Sequence, residues 1–277
     1  MTVGGMTDTV APLFSLAGKA VVVTGGGKDI GRGIAQAMAQ CGADLVIAGR
    51  DAAALEQTAT ALRDTGAQVL AVAGDITVAA DRQALVAATL QRYGRLDGWV
   101  NNAGSASPSD VGPLDGIDEA QWQRVLDLNL KAAFFAAQAA ARAMVDGGAI
   151  VNISSRSASH PNPGTGHYGA AKAALENLTR TMAAEWGHRG IRVNAVAPGV
   201  VMTDELARTL NTPERIRRQV DTVPLQRLGR PEDIGPLCAY LVSDASAWTS
   251  GALIGVNGGS FVPMGYLSWL HRVRRSD

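Results

Sequence analysis

Short apolar runs alternate with longer segments of mixed polarity along most of the chain. The short runs are rich in Val, Ile and Leu, and they predict strands at residues 20–24, 44–48, 68–73, 96–100, 149–153, 191–196 and 252–256. The segments between them predict helices at residues 30–40, 51–65, 79–93, 118–144 and 168–186. Such alternation is typical of parallel strands joined by crossover helices. The pattern therefore predicts an α/β fold: a doubly wound, seven-stranded, mostly parallel sheet with helices on both faces.

The organisation of the chain predicts one domain over residues 1–277. Hydrophobic residues make up 47% and charged residues 18% of the sequence, a mixture that builds a large core. We expect this core to cover about residues 14–262, with a short N-terminal lead and a C-terminal extension at 263–277. Residues 204–228 are charged, contain two prolines and have weak periodicity. They predict a mobile segment over the strand ends, where open α/β sheets bind ligands.

The charge balance and the cysteine content restrict the partners and the location. The chain has 25 basic and 25 acidic residues, which argues against nucleic acid or an anionic membrane as the main partner. No apolar run reaches the roughly 18 residues of a membrane span. Two cysteines, Cys41 and Cys238, are too few for a disulfide framework. We therefore expect a cytoplasmic protein with a small-molecule substrate.

A glycine-rich stretch, residues 24–33, joins the first predicted strand to the first predicted helix. Glycines at this point let the backbone approach a pyrophosphate, and the helix N-terminus supplies unpaired N–H groups and a positive dipole. A glycine cluster alone is a weak signal. Its position between the first strand and the first helix favours a dinucleotide site.

The end of the second strand bears on the choice of cofactor. Folds that bind NAD usually have an acid there for the ribose hydroxyls, whereas this chain has Gly49 followed by Arg50. Arg50, with Lys28 from the glycine-rich loop, is suited to charge-assisted bonds with a 2′-phosphate. Asp51 is close enough to argue the other way. The residues favour NADP(H), and NAD(H) remains the alternative.

Tyr168 and Lys172 lie four residues apart on a predicted helix, and therefore on one face of it. A nearby cation lowers the pKa of a phenol, which makes tyrosine a usable acid or base nearer neutral pH. A Tyr-x-x-x-Lys pattern alone arises often by chance. Here Ser155 ends the fifth predicted strand, and Asn101 and Asn102 end its neighbour, on the same edge of the sheet as the glycine loop.

Taken together and in order, these motifs resemble those of the short-chain dehydrogenase/reductase family over about residues 14–262. The resemblance implies a Rossmann-like fold and hydride transfer between a nicotinamide cofactor and a carbonyl or secondary alcohol. The motifs are the loop at 24–31, Asp75, the Asn101-Asn102-Ala103-Gly104 run, Asn129, Ser155, Tyr168-x-x-x-Lys172, Pro198-Gly199 and Thr203.

The resemblance also implies roles for individual residues. Tyr168 would exchange a proton with the substrate oxygen, Ser155 would hold that oxygen, Lys172 would lower the pKa of Tyr168 and bind the nicotinamide ribose, and Asn129 would anchor a proton-relaying water. Asp75 and Ile76 would border the adenine, Asn102, Ala103 and Gly104 its ribose, and Pro198, Gly199, Val201 and Thr203 the nicotinamide. The implied cofactor-binding residues are Gly25, Gly27, Lys28, Asp29, Ile30, Gly31, Arg50, Asp75, Ile76, Asn102, Ala103, Gly104, Tyr168, Lys172, Pro198, Gly199, Val201 and Thr203.

Some points stay open at this stage. Asp29 stands where the family has glycine, and we expect its carboxylate to cap the first helix. Ser154 competes with Ser155 for the catalytic role, and the 13-residue gap to Tyr168 favours Ser155. No metal-ligand spacing is present. The family implies a homotetramer. The substrate remains undefined among 3-oxoacyl thioesters, ketones, sugars and steroids, and the alternatives are a non-catalytic dinucleotide sensor or an NAD-dependent alcohol dehydrogenase.

Overall fold

The computed structural model describes residues 10–105 and 107–260 of the 277. The strands are β1 (Ala20–Thr24), β2 (Asp44–Gly49), β3 (Val69–Ala73), β4 (Gly98–Asn101), β5 (Gly148–Ile153), β6 (Ile191–Pro198) and β7 (Leu253–Val256). They form one sheet in the order β3-β2-β1-β4-β5-β6-β7. Every neighbouring pair is parallel, so the predicted "mostly parallel" sheet is wholly parallel across these strands.

Helices cover both faces of this sheet, as the apolar strands predicted. The helices are α1 (Asp29–Gln40), α2 (Ala52–Arg63), α3 (Ala79–Tyr93), α4 (Glu119–Leu126), α5 (Ala132–Ala143), α6 (Gly166–Trp186), α7 (Asp204–Thr209), α8 (Pro213–Val220) and α9 (Pro231–Val242). Helices α1, α2 and α9 pack on one face through Ile34, Leu55 and Ile234. Helices α3, α5 and α6 pack on the other face, where Trp99 is fully buried. A sheet covered on both faces explains strands that are apolar on both sides.

The predicted single helix at 118–144 is wrong in one respect. Asp118 and Gln121 form a capping box that begins α4, but a π-helical turn, Asp127–Lys131, separates α4 from α5. Single π turns inside helices often occur at functional sites, because the extra residue changes the direction of a side chain. Asn129 lies in this turn and is fully buried.

The segment after β6 forms a small unit of its own. Residues 204–228 contain α7 and α8, whose apolar side chains pack around Leu210, Val223 and Leu228 rather than in either main core. The predicted C-terminal extension at 263–277 and most of the N-terminal lead lie outside the described residues. Within the part of the chain that is described, no helix combines the length and apolar character needed to cross a bilayer.

Candidate active site

The glycine loop between β1 and α1 is held tightly by backbone packing. The Asn102 amide donates hydrogen bonds to the carbonyl oxygens of Thr24 (2.9 Å) and Gly25 (3.3 Å). A Cβ at Gly31 would overlap the carbonyl oxygen of Gly25 and lie 2.6 Å from the Asn102 amide nitrogen. Gly25 itself has a φ of +66°. Three residues that the sequence assigned to the cofactor therefore also shape the loop, and Asn102 does so with the side chain expected at the ribose.

A cavity of about 620 Å³ runs from this loop along the carboxyl ends of β1, β2 and β4. Its wall combines loop backbone with apolar side chains such as Leu55 and Leu85, a lining suited to a flat base and a sugar. Its volume lies within the range of small-molecule sites. The predicted cofactor residues that line it are Gly25, Gly27, Lys28, Arg50, Asp75, Ile76, Ala103 and Gly104. The residues present therefore fit the adenosine and phosphate portions of a dinucleotide.

One end of the cavity carries an ion pair that the sequence did not predict. The Lys28 ammonium contacts the Asp51 carboxylate at 2.5 Å, and Asp51 also caps α2 by accepting the N–H of Ala54. The hydrogen bond from Lys28 lowers the pKa of Asp51. Arg50 is exposed beside them. Desolvation alone would raise the pKa of Asp75, but hydrogen bonds from Thr77 outweigh it and lower this pKa, and the charge of Arg50 adds a smaller contribution. The two basic residues therefore differ: Asp51 partly offsets Lys28, and Arg50 faces the cavity without a close carboxylate among the described ion pairs.

The predicted catalytic residues meet after β5, next to Gly104, which lines the cavity. The Lys172 Nζ atom lies 5.6 Å from the centre of the Tyr168 ring and donates a hydrogen bond to the carbonyl oxygen of Ile153 at 2.9 Å. Ser155 follows β5, and its hydroxyl is close enough to Tyr168 to lower the pKa of that phenol. Ser154 is turned away, since its hydroxyl donates to Glu176 at 2.7 Å. The geometry thus places Ser155, and not Ser154, beside Tyr168.

Asn129 lies next to Lys172 on the other side of Gly104. Its amide nitrogen donates to the carbonyl oxygens of Ser105 (2.8 Å) and Val125 (3.0 Å). Its Oδ1 atom is buried and has no hydrogen-bond partner among the described residues. A Cβ at Gly104 would lie 2.6 Å from this oxygen and 3.0 Å from the Lys172 Nζ atom. Glycine at 104 therefore keeps open a polar gap between Asn129 and Lys172, of the kind that a bridging water fills.

The pKa of Tyr168 moves in the direction opposite to the one expected from the sequence. Burial raises this pKa, and the hydrogen bond with Ser155 offsets only part of the rise. Burial also lowers the pKa of Lys172 to about 8, because the ammonium is removed from water. Desolvation is the larger influence on both side chains, and the pKa of Tyr168 is therefore raised and not lowered as the spacing to Lys172 predicted.

The remaining predicted residues lie outside the cavity lining. Pro198 ends β6, Val201 is buried and pairs with Gly229 in an isolated bridge, and Thr203 caps α7 by accepting the N–H of Leu206. Gly199 packs against Asn257, where a Cβ would lie 2.8 Å from its Cα atom. Their contact with the nicotinamide stays a prediction.

Asp29 does not cap α1, which corrects the expectation for this residue. The helix has no side-chain cap, and the Asp29 Oδ1 atom accepts the backbone N–H of Asp204 at 2.8 Å. Its φ of +48° explains the family's glycine at this position, because aspartate is one of the few other residues that tolerate the left-handed region. Nothing in the sequence signals a contact between residues so far apart.

A buried polar network behind the site was also missed. Asn101 accepts a hydrogen bond from the Trp99 indole and donates to Asn152, which in turn donates to Thr179 on α6. Because all these polar groups are buried and partnered, the network ties β4 and β5 to the helix that carries Tyr168. His167, beside Tyr168, is fully buried and stacks on Trp122. From the sequence, Asn101 was expected only to end a strand.

Comparison with known proteins identifies the family. The family described as enoyl-(acyl carrier protein) reductase matches residues 25–260. Galactitol 2-dehydrogenase of Rhizobium johnstonii is 40% identical over 252 residues, which is 89% of this chain and 96% of the relative. A protein from Beutenbergia cavernae, assigned as an NAD(P)-dependent gluconate 5-dehydrogenase and solved with NADP, is 34% identical with a TM-score of 0.83, covering 90% of this chain and 98% of that one.

A third similar protein was solved with a reduced cofactor and a ketone. It is a 7α-hydroxysteroid dehydrogenase in complex with NADH and 7-oxoglycochenodeoxycholic acid, 34% identical with a TM-score of 0.85, covering 91% of this chain and 98% of that one. The chain belongs to the short-chain dehydrogenase/reductase family, as its motifs indicated. It is therefore an oxidoreductase that acts on CH–OH and C=O groups.

Proposed function

We propose that this member of the short-chain dehydrogenase/reductase family interconverts a carbonyl and a secondary alcohol with NADP(H), using Tyr168 as the acid and base. The observation that carries the proposal is the joining of Tyr168, Ser155 and Lys172 at the point where the cavity passes Gly104. The nicotinamide ring, when bound, supplies or accepts the hydride. The chain's own residues position the substrate oxygen and move its proton.

Each side chain has a separate part in this proton transfer. The Ser155 hydroxyl holds the substrate oxygen, and the Tyr168 hydroxyl gives it a proton during reduction or takes one during oxidation. Lys172 is held by the carbonyl oxygen of Ile153, with its ammonium 5.6 Å from the centre of the Tyr168 ring, where its charge would attract a phenolate formed during the reaction. Asn129 presents its unpartnered Oδ1 atom to the gap beside Lys172. A water held there would return the proton to solvent.

The preference for NADP(H) over NAD(H) rests on charge at the end of β2. Arg50 follows Gly49 and lines the cavity, and no acid stands at position 49. A 2′-phosphate beside Arg50 would gain charge-assisted hydrogen bonds. Lys28 adds to this attraction less than its charge suggests, because it is paired with Asp51. The favoured direction with NADPH is reduction of the carbonyl.

The substrate class and the assembly extend this proposal. Similar proteins are named for a polyol, a sugar acid and a steroid. The proposed substrate is therefore a small ketone or its alcohol, and sugars, steroids and 3-oxoacyl thioesters are all to be tested. We also propose a homotetramer, as the family resemblance implies, and the partly exposed side chains of Trp122 on α4 and Phe135 on α5 are suited to a subunit contact. We keep the single domain over residues 1–277 and the cytoplasmic location as predictions.

The test is a NADPH absorbance assay against a panel of sugars, polyols, oxosteroids and 3-oxoacyl thioesters. Tyr168→Phe should lower kcat about 10³-fold on any substrate found, because general acid–base catalysis contributes on that scale, while the Kd for NADPH stays within about twofold. Tyr93→Phe is the matched control, since the Tyr93 hydroxyl donates a hydrogen bond to the carbonyl oxygen of Leu45, far from the site. Full activity of Tyr168→Phe would refute the proposed role. Cofactor binding with no turnover on any substrate would favour a sensor.

A further inference from the structure

Asp29 connects two segments of the chain that are distant in sequence. Its Oδ1 atom accepts the backbone N–H of Asp204, 175 residues further along, at 2.8 Å. Asp29 follows β1, and Asp204 follows β6. In the sheet, β4 and β5 separate these two strands, a distance of roughly 14 Å at the usual strand spacing. The hydrogen bond therefore links segments that leave the sheet on opposite sides of β4 and β5, the strands that precede Gly104 and Ser155.

The segment that begins at Asp204 has few other polar attachments. Residues 204–220 form α7 and α8, and most of their side chains are exposed. Among the described residues, the other hydrogen bonds of this stretch remain within residues 203–223. Its apolar contacts form a small cluster that is separate from the two main cores. Among the described residues, the bond from the Asp204 N–H to the Asp29 carboxylate therefore joins this segment to the glycine loop.

The backbone conformation at Asp29 and the start of α7 at Asp204 both favour this hydrogen bond. Asp29 has a φ of +48°, which turns its side chain out of the first turn of α1 instead of back onto the helix. Thr203 caps α7 with its own hydroxyl at the Leu206 N–H, so the Asp204 N–H is one of the helix's unpaired donors and is available to a carboxylate. A carboxylate accepting a backbone N–H forms a charge-assisted hydrogen bond, stronger than a neutral one.

We propose that Asp29 is a positioning residue that holds the start of the 204–220 segment against the glycine loop that lines the cofactor cleft, so that its hydrogen bond to Asp204 slows the release of the nicotinamide cofactor. The part concerning release rests on the proposed function. The loop at Asp29 is where the diphosphate is expected, and Thr203, one residue before Asp204, is expected at the nicotinamide. This hydrogen bond would then control how readily the cofactor leaves the region between the diphosphate site and the nicotinamide site.

The chain allows this bond to be removed from either side. Asp29→Gly removes the acceptor at a position whose φ suits glycine. Asp204→Pro removes the donor N–H together with the Asp204 carboxylate. Proline is favoured in the first turn of a helix, and Thr203 has the extended φ of −100° and ψ of 165° that a following proline requires. Asp29→Asn keeps an acceptor oxygen without the charge. Asp204→Ala keeps the N–H and is the matched control.

The first measurement is amide hydrogen exchange across residues 204–220 in the free protein. We expect Asp29→Gly and Asp204→Pro to raise exchange there about tenfold, because a hydrogen bond to a charged group is lost. Asp29→Asn should change it by no more than about threefold, and Asp204→Ala should match the wild type. Exchange in α1 and thermal unfolding midpoints report whether any variant is damaged as a whole. Unchanged exchange in the first two variants would overturn the inference.

The second measurement is the dissociation rate of NADPH, and of NADH in parallel, followed by stopped-flow displacement. The same two variants should release the cofactor about tenfold faster than the wild type and Asp204→Ala. Faster exchange with an unchanged dissociation rate would overturn the control of release. If neither cofactor binds the wild type, the proposed function fails, and the hold of Asp29 on the segment is then judged by hydrogen exchange alone.

Discussion

The two halves of the cleft obtain their shape by different means. On the side of β1 and β2, backbone atoms form the surface, and glycines allow the loop, α1 and Asn102 to approach closely. On the side of β5 and α6, side chains form it: Lys172 and Tyr168 project from one helix toward Ser155. A surface of backbone is sensitive to a single added methyl group. A surface of side chains accepts changes of shape but loses its chemistry when a functional group is removed.

The largest effect should come from adding a methyl group to the backbone half. In Gly31→Ala, the new Cβ would overlap the Gly25 carbonyl oxygen and press on Asn102. The loop carbonyl is fixed between β1 and α1 and has little room to move, so we expect the free energy of unfolding to fall by about 4 kcal/mol, at the upper end of single substitutions. Urea unfolding followed by circular dichroism measures this change.

A matched glycine tests whether the close approach is the cause. Gly187 has a φ of −56°, and no atom lies within 4 Å of a Cβ built on it. Gly187→Ala should therefore leave the free energy of unfolding unchanged or raise it by up to about 1 kcal/mol, as the unfolded chain loses freedom. Equal losses in both variants would remove the contrast between a backbone surface and an ordinary helix end.

In the side-chain half, the expected effect is a pH dependence of stability. Lys172 is buried, and burial lowers its pKa from 10.5 to about 8. Below pH 8 both states carry the charge, and the folded state bears the full desolvation penalty. As the pH rises from about 8 to 10.5, the folded state binds fewer protons than the unfolded state, so the stability increases. The shift corresponds to about 3 kcal/mol in total.

Lys172→Met should abolish this pH dependence. The free energy of unfolding of the wild type, minus that of the variant, should rise by about 3 kcal/mol between pH 8 and 10.5. Lys131→Met is the control, because the Lys131 side chain is exposed and pairs with Asp127 on the surface. Chemical unfolding at several pH values gives the three curves. Parallel curves for the wild type and Lys172→Met would contradict the burial of a charged lysine.

The sequence predicts only part of each half. The strand positions, the glycine loop and the Tyr168–Lys172 spacing follow from local patterns, and the structure places most of these close to where they were expected. The π turn at Asn129, the Lys28–Asp51 pair and the Asp29–Asp204 hydrogen bond do not. Each depends on the relative placement of separate elements or on a local irregularity that hydrophobic periodicity does not encode. The pKa of Tyr168 likewise follows burial, which spacing alone cannot give.

The smallest expected effect concerns the charged end of the backbone half. Arg50 lines the cavity beyond β2, while Lys28 is already paired with Asp51. We expect the wild type to bind NADPH at least about tenfold more tightly than NADH, since one charge-assisted contact with the 2′-phosphate is worth roughly that much. Arg50→Asp should reverse the preference, because a carboxylate repels the phosphate and accepts the ribose hydroxyls. Lys28→Met should change the ratio by less, as its charge is partly offset. Fluorescence titrations with both cofactors give the ratio of NADPH to NADH affinity for the wild type and for the three variants Arg50→Asp, Lys28→Met and Arg92→Asp, the last being a distant charge control. Equal affinities of the wild type for NADPH and NADH would contradict the preference for NADP(H).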